Sequence, residues 1–221
     1  MGNCFKTLVL AVVLLAGLPC RAQNPRQRLV SIRVDQAYYL GKDDAPLTMV
    51  EFADYQCPYC RKFHIDTLPE LRKNYIDTGK LRFVAMDLPL GRHENAAKAA
   101  VAALCAGEQH KFWEMRDTLI MHASNLAEDA IVGYAQKLEL DTTEMQTCVA
   151  SPRYLPQIYS DVVQAERAGI FATPSFVLGK TSKDEIVGIA MEGAPPYAGF
   201  EFILKRLLAL YNPQTPPMGP G

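Results

Sequence analysis

The alternation of apolar and polar stretches predicts a strand–helix–strand unit in the first half of the chain. Residues 47–53 form an apolar run between turn residues, which is typical of a buried strand. A helix is predicted to begin at Pro58 and to continue to about Tyr75, with a kink or break at Pro69. Residues 80–87 are predicted to form the next strand. A unit of this kind places a parallel or mixed sheet at the centre of the fold.

The second half of the chain is predicted to change from helices to a hairpin. Residues 95–168 are rich in good helix formers, and punctuating glycines, prolines and polar residues divide them into about four helices. Residues 173–178 and 185–190 are predicted to be two strands of a hairpin, and 200–211 a closing amphipathic helix. A short strand is also expected within 29–34. The overall pattern indicates an α/β protein.

The N-terminus has the pattern of a secretory signal. Lys6 precedes an apolar run from Leu8 to Leu18, which as a helix spans only about half of a bilayer core. Small side chains indicate cleavage near Ala22, so we expect an exported, periplasmic or otherwise extracytoplasmic protein. A retained membrane anchor and lipid attachment at Cys20 are the alternatives.

Composition and charge exclude several classes of protein. Hydrophobic residues make up 49% and charged residues 21% of 221, which excludes a wholly disordered chain. The net charge of -1 gives no basic excess for a nucleic-acid partner. Six cysteines are too few for a scaffold built on disulfides. Loss of residues 1–22 would leave four of them, namely Cys57, Cys60, Cys105 and Cys148.

The pair Cys57 and Cys60 is the strongest chemical signal in the sequence. It follows a predicted buried strand and opens a predicted helix, where backbone N–H groups and the helix dipole favour a thiolate. We expect Cys57, at the exposed start of the helix, to be the nucleophile and Cys60, one turn deeper, to be the resolving cysteine. Half of a zinc site and a structural disulfide are the alternatives. The four histidines are scattered, and no second pair of cysteines has metal-site spacing.

Three ordered segments carry a family resemblance. Residues 50–64 (VEFADYQCPYCRKFH), 103–115 (ALCAGEQHKFWEM) and 169–176 (GIFATPSF) resemble the DsbA-like thiol–disulfide oxidoreductases of the bacterial cell envelope. The resemblance covers about 36–211 and implies a thioredoxin fold, a central mixed sheet flanked by helices, interrupted by an all-helical insertion domain. The implied division is a signal peptide at 1–22, the first part of the thioredoxin domain with the Cys-Pro-Tyr-Cys motif at 23–92, the insertion at 93–168, the second part at 169–211 and a disordered tail at 212–221.

The resemblance also assigns roles to individual residues. Thr173 and Pro174 match the family's cis-proline loop, which lies against the cysteine pair and offers the backbone of Thr173 to an extended substrate segment. Glu51 matches a buried acid that helps proton transfer at the resolving cysteine. Pro58 and Tyr59 separate the two cysteines and influence the redox poise. The strongest oxidants of the family carry a histidine at the position of Tyr59.

Three further residues, Cys105, Cys148 and His64, have more than one possible role. Cys105 and Cys148 are expected to form a structural disulfide, because the chain is expected to be exported and some family members have a similar second pair; two buried free thiols are the alternative. From the sequence alone, His64 is expected to be an ordinary surface histidine of the helix, with tuning of the thiolate as the alternative.

The expected function is disulfide formation in other exported proteins that contain cysteines. The redox-active pair Cys57 and Cys60 is expected to need no metal or other cofactor, and the family resemblance implies reoxidation by a membrane partner. We expect a monomer, because no dimerisation domain is evident before residue 36. The alternatives are a disulfide isomerase or reductase, and a chaperone-like module that binds peptides around Pro174.

Overall fold

A computed structural model describes residues 29–211. The expected signal peptide at 1–22 and the expected tail at 212–221 lie outside the described residues. None of the helices in the described part of the chain has the length and apolar character needed to cross a bilayer.

Within residues 29–211, six strands form one mixed sheet. Their order across the sheet is β1-β6-β5-β3-β4-β2, with β3 parallel to β4 and the other neighbouring pairs antiparallel. The strands are β1 Leu29–Arg33, β2 Tyr39–Leu40, β3 Leu47–Ala53, β4 Leu81–Asp87, β5 Ser175–Lys180 and β6 Glu185–Glu192. All seven residues of β3 are buried, as expected for a central strand that is covered on both faces.

Eight helices accompany the sheet in the described residues. They are α1 Pro58–Asp66, α2 Leu68–Leu71, α3 Ala96–Glu108, α4 Phe112–Met121, α5 Glu128–Lys137, α6 Thr142–Ala150, α7 Leu155–Arg167 and α8 Tyr197–Tyr211, and a π-helical turn at Arg72–Ile76 extends α2. The α/β class with a central mixed sheet is therefore confirmed.

The core consists of two layers on the sheet and a separate helical cluster. One face of the sheet packs against α1, α2 and α8, through side chains such as Phe63 and Phe200. The other face packs against the end of α7, including Ala165. Helix α3 forms the centre of the helical cluster, where ten of its thirteen residues are buried.

Several element predictions need correction. The stretch 95–168 contains five helices rather than four, because the polar segment at 151–154 ends α6 and allows a further helix, α7, to begin. The break expected at Pro69 lies at Thr67, two residues earlier, and the helical stretch reaches Ile76, close to the expected Tyr75, through a π-helical turn. Strand β2 was not predicted, since two residues are too few to show a period. We retain as a proposal the division into a thioredoxin domain at 23–92 and 169–211 and an insertion at 93–168.

Candidate active site

The two cysteines lie where a central strand passes into a helix. Cys57 is the N-cap of α1, Pro58 occupies the first turn, and Cys60 lies one turn further along. Both cysteines are free thiols and both are buried, packed with Ala53. Proline suits the first turn because its missing N–H would have no partner within the helix.

A buried carboxylate fixes the turn between the strand and the helix. The side chain of Asp54 accepts hydrogen bonds from the backbone N–H groups of Gln56 at 2.7 Å and Leu90 at 2.7 Å. The backbone N–H of Cys57 donates to the carbonyl of Asp54 at 3.1 Å. These bonds hold the start of α1 in place and orient the first cysteine.

The loop before β5 covers Cys57. The bond between Thr173 and Pro174 is cis, and Ser175 pairs with Phe52 where β5 runs antiparallel to β3. The thiol of Cys57 lies 3.2 Å from the carbonyl oxygen of Thr173. Only 1% of Cys57 is exposed, so the expectation of an exposed nucleophile is wrong: the loop from the distant part of the chain closes over it.

The two thiols have opposite acidities. Hydrogen bonding from the Cys60 thiol lowers the pKa of Cys57 to about 5 against the effect of burial, and the backbone N–H groups of Tyr59 and Cys60 act in the same direction. Burial, in the first place, raises the pKa of the Cys60 thiol, and the nearby charge of Glu51 adds to this effect. Cys57 is thus suited to be the nucleophile and leaving group, whereas Cys60 holds its proton.

Glu51 lies in β3 at the centre of a buried charge cluster. Its carboxylate accepts from Nη2 of Arg116 at 2.8 Å and contacts Nε2 of His64 at 3.0 Å. Arg116 also donates to the hydroxyl of Tyr55 at 3.2 Å and lies 3.9 Å from Asp87. Glu51 and Arg116 are fully buried. A buried carboxylate is expected to have partners of opposite charge, and here two cations surround it.

The charged neighbours of Glu51 favour the ionised form of its side chain. Burial favours the protonated acid, but the charges of His64 and Arg116 hold the pKa of Glu51 below its ordinary value. Burial opposes the charged form of His64, yet the charge of Glu51 raises the pKa of the imidazole. Without the resemblance, Glu51 would be expected to face the surface of its strand, because it is the only charged residue there. The expectation of a surface His64 is wrong, because its ring is buried with Nε2 3.0 Å from Glu51.

Arg116 was missed by the sequence reasoning, although the pattern contains a signal for it. Helix α4 buries Phe112, Met115, Leu119 and Ile120, and Arg116 falls within the same stripe. A charged residue on the apolar face of a helix requires a buried partner.

Two further acids, Asp87 and Asp161, lie beyond Arg116. An oxygen of the Asp161 side chain accepts from the backbone N–H of Asp87 at 3.0 Å. Burial raises the pKa of Asp87 to about 6, and burial together with the charge of Asp87 raises that of Asp161 to about 8.

The remaining residues of interest lie at the rim of the site or apart from it. Tyr59 is 64% exposed between the cysteines. Cys105 and Cys148 form a disulfide that joins α3 to α6, away from the redox pair. Within 29–211, no group of three His, Cys, Asp or Glu side chains is arranged to hold a metal ion.

Comparisons with known proteins agree with this geometry. A family model described as thioredoxin matches residues 34–190. The disulfide bond formation protein D of Bacillus subtilis is 28% identical over 143 residues, which are 62% of this chain and 64% of that protein. A protein named Na(+)/H(+) antiporter NhaA 1 in Salinispora arenicola is 36% identical over 149 residues, 67% of this chain but 22% of that protein. The chain therefore spans about a fifth of the antiporter's length.

Solved structures show the same fold. The α-DsbA1 protein of Wolbachia pipientis matches with a TM-score of 0.72 and 22% identity, over 80% of this chain and 92% of that one. Oxidised BdbD of Bacillus subtilis matches with a TM-score of 0.69 and 22% identity, over 81% and 98%. These likenesses confirm the predicted thioredoxin-like fold.

Proposed function

Because the chain belongs to the thioredoxin family, we propose that it is a DsbA-like oxidoreductase that introduces disulfides into other exported proteins through Cys57 and Cys60. The observation that carries the proposal is the placement of the pair. Cys57 caps a helix, contacts the Thr173 carbonyl and has a pKa of about 5, whereas Cys60 is buried with a raised pKa. A reduced enzyme stabilised by a thiolate is a strong oxidant in its disulfide form.

The exchange proceeds in two steps. A substrate thiolate attacks the Cys57 sulfur of the oxidised pair, the bond between Cys57 and Cys60 breaks, and Cys60 leaves and takes up a proton. The second substrate thiolate then attacks the substrate sulfur of the mixed disulfide. A substrate disulfide forms and Cys57 leaves as a thiolate, which its low pKa favours. Two electrons pass from the substrate to the enzyme.

Other site residues support these steps. The backbone of Thr173, next to Pro174, is proposed to pair with an extended substrate segment beside Cys57. Exposed Tyr59, with Pro58, is proposed to tune the redox poise and to contact the substrate. Glu51 is proposed to assist proton transfer at Cys60. The redox pair needs no metal or other cofactor for this exchange.

The cellular setting is part of the same proposal. The chain is proposed to be exported after cleavage near Ala22, to act as a monomer on folding proteins with cysteines and to be reoxidised by a membrane partner. No antiporter activity is proposed for this chain, because the match spans only 22% of the antiporter.

The proposal is tested by mixing the oxidised protein with a reduced, unfolded substrate and trapping the products with acid. The parent is expected to form substrate disulfides. Cys57→Ser is expected to form none, and neither is Cys60→Ser, because each variant lacks the disulfide that would accept the electrons. With a substrate that already contains a disulfide, the Cys57 thiolate of Cys60→Ser is expected to open that bond and to remain in a mixed disulfide, because the resolving cysteine is missing. If Cys57→Ser still promotes substrate folding without disulfide exchange, the function is that of a peptide-binding module. If the parent rearranges scrambled disulfides but does not oxidise thiols, the function is isomerisation.

A further inference from the structure

The buried position of Cys60 raises the question of how its proton reaches solvent. Cys60 is fully buried, and so is Glu51, whose charge raises the pKa of this thiol. A carboxylate with no exposed surface can pass a proton on only through a neighbouring group. Arg116, its strongest partner, keeps its proton at any ordinary pH and cannot serve.

His64 connects this buried acid with the surface. It follows Cys60 by four residues, so both side chains lie on one face of α1. One ring nitrogen, Nε2, lies 3.0 Å from Glu51, and the other, Nδ1, lies 3.7 Å from the Asp117 carboxylate on α4. The side chain of His64 is 4% exposed, whereas that of Asp117 is 46% exposed.

An open cavity lies at the outer end of this chain of groups. Its volume is about 270 Å³, enough to hold several waters. The cavity is lined by His64, Leu68, Pro69, Arg72, Asp117 and Met121.

The charges around His64 suit an imidazole that gains and loses a proton. Glu51 from β3 and Asp117 from α4 favour the imidazolium, whereas Arg116 from α4 disfavours it. Arg72, from the π-helical turn, also faces the cavity. Histidine is the side chain whose charge changes most readily near neutral pH.

We propose that His64 and Asp117 form a proton route between Glu51 and the cavity, which serves Cys60 during disulfide exchange. The inference rests on the proposed function, because it concerns the proton of the resolving cysteine. Since both residues act through Glu51, they are positioning residues and do not touch the reacting sulfur atoms.

The route serves both directions of exchange. When Cys60 resolves a mixed disulfide, its sulfur attacks Cys57, the partner sulfur leaves with the electron pair as a thiolate, and the bond between Cys57 and Cys60 forms. The Cys60 proton passes to Glu51 and then through His64 and Asp117 to cavity water. When a substrate thiolate opens the pair, the proton travels inward to the departing Cys60.

A two-phase thiol reaction separates the two cysteines. Reduced protein is mixed with an aromatic disulfide whose thiolate is coloured. The first equivalent of coloured thiolate is released when Cys57 attacks the aromatic disulfide. The second equivalent is released when Cys60 resolves the mixed disulfide. The two rates are followed from about pH 5 to about pH 9, which spans the range in which histidine and cysteine titrate.

The variants are His64→Gln, His64→Ala and Asp117→Asn. Glu114→Gln is the matched control, because Glu114 lies on the same helix with the same 46% exposure and pairs with Lys111. His64→Gln is expected to slow the second phase about a hundredfold, the lower range of acid–base contributions, and to leave the first phase unchanged. Asp117→Asn is expected to slow the second phase less, and Glu114→Gln not at all. Added imidazole is expected to restore the second phase of His64→Ala.

The contrary results are distinct. An unchanged second phase in His64→Gln, or a slowed one that imidazole does not restore in His64→Ala, overturns the route. If the His64 variants do not fold, the Asp117 variant decides the question by itself. The proton route is then overturned if the second phase of Asp117→Asn is as fast as that of Glu114→Gln. Failure of the proposed function looks different, because the parent would then show both phases with the aromatic disulfide but form no disulfides in a reduced substrate.

Discussion

Acidification is predicted to destabilise the reduced protein relative to its disulfide form. A cysteine in an unfolded chain ionises near pH 8.5, whereas a hydrogen bond from Cys60, acting against the effect of burial and helped by backbone N–H groups at the helix start, leaves Cys57 with a pKa of about 5. Because the folded pKa lies below the unfolded one, the thiolate stabilises the folded reduced protein fully above about pH 8.5. This stabilisation is lost as the pH falls through about 5.

The magnitude follows from the two pKa values. One pKa unit corresponds to 1.36 kcal/mol, so the stabilisation is at most about 5 kcal/mol above pH 8.5, about 3 kcal/mol at pH 7 and close to zero at pH 4. Between about pH 4 and about pH 7 the Cys60 thiol keeps its proton in both the folded and the unfolded reduced protein, and the other groups titrate in both redox forms. Over this range the difference in unfolding free energy between reduced and oxidised protein therefore isolates the Cys57 thiolate.

The assay combines two measurements on the same samples. The ultraviolet absorbance of the thiolate gives the pKa of Cys57, and guanidinium unfolding at about pH 7 and about pH 4 gives the free energies of the two redox forms. Cys57→Ser is the control and should show no thiolate step near pH 5. A thiolate step near pH 8.5, or a difference between the redox forms that does not change with pH, would refute the reasoning.

Three further perturbations test other parts of the molecule. Replacing both Cys105 and Cys148 by alanine opens a loop with a sequence separation of 43, which is expected to lower the unfolding free energy by about 4 kcal/mol in guanidinium titrations. Glu51→Gln leaves Arg116, 2.8 Å away, without its buried counter-charge and is expected to cost about 3–5 kcal/mol in the same titrations. Burial raises the pKa of Asp161 to about 8, so its acid form stabilises the fold and this stabilisation is lost as the pH rises towards 8. Asp161→Asn, which remains neutral, is expected to raise the melting temperature near pH 8 but not near pH 4.

Each of these expectations has a contrary result. A double alanine variant as stable as the parent would mean that the crosslink does not restrict the unfolded chain. Equal stability of Glu51→Gln would mean that the Arg116 charge is compensated by other groups. A melting temperature of Asp161→Asn that follows that of the parent at every pH would show that the acid is not desolvated.

The redox pair and the sheet around it could be predicted from the sequence because their signals are local. An apolar run, a turn and a Cys-Pro-Tyr-Cys motif lie within about fifteen residues, and the strand and helix start follow directly from them. The contact between Cys57 and Thr173 is different. It joins residues 116 positions apart, and only the family resemblance pointed to it.

The charge cluster behind the pair was missed because burial of a polar residue depends on distant partners. His64 and Arg116 are 52 positions apart and meet only because α1 and α4 both pack against Glu51. Each lies on the buried stripe of its own helix. That position was a usable sign, since a polar side chain within an apolar stripe must find a partner inside the protein.

The equilibrium reduction potential of the Cys57–Cys60 pair tests the central claim most directly. The pair is equilibrated with glutathione buffers of graded ratio, and the reduced fraction is read after acid quenching. A lowered Cys57 pKa stabilises the reduced form, so the account predicts a potential nearer to the DsbA value of about -120 mV. A value near that of thioredoxin, about -270 mV, would contradict it, because the disulfide form would then be too weak an oxidant to give disulfides to other proteins.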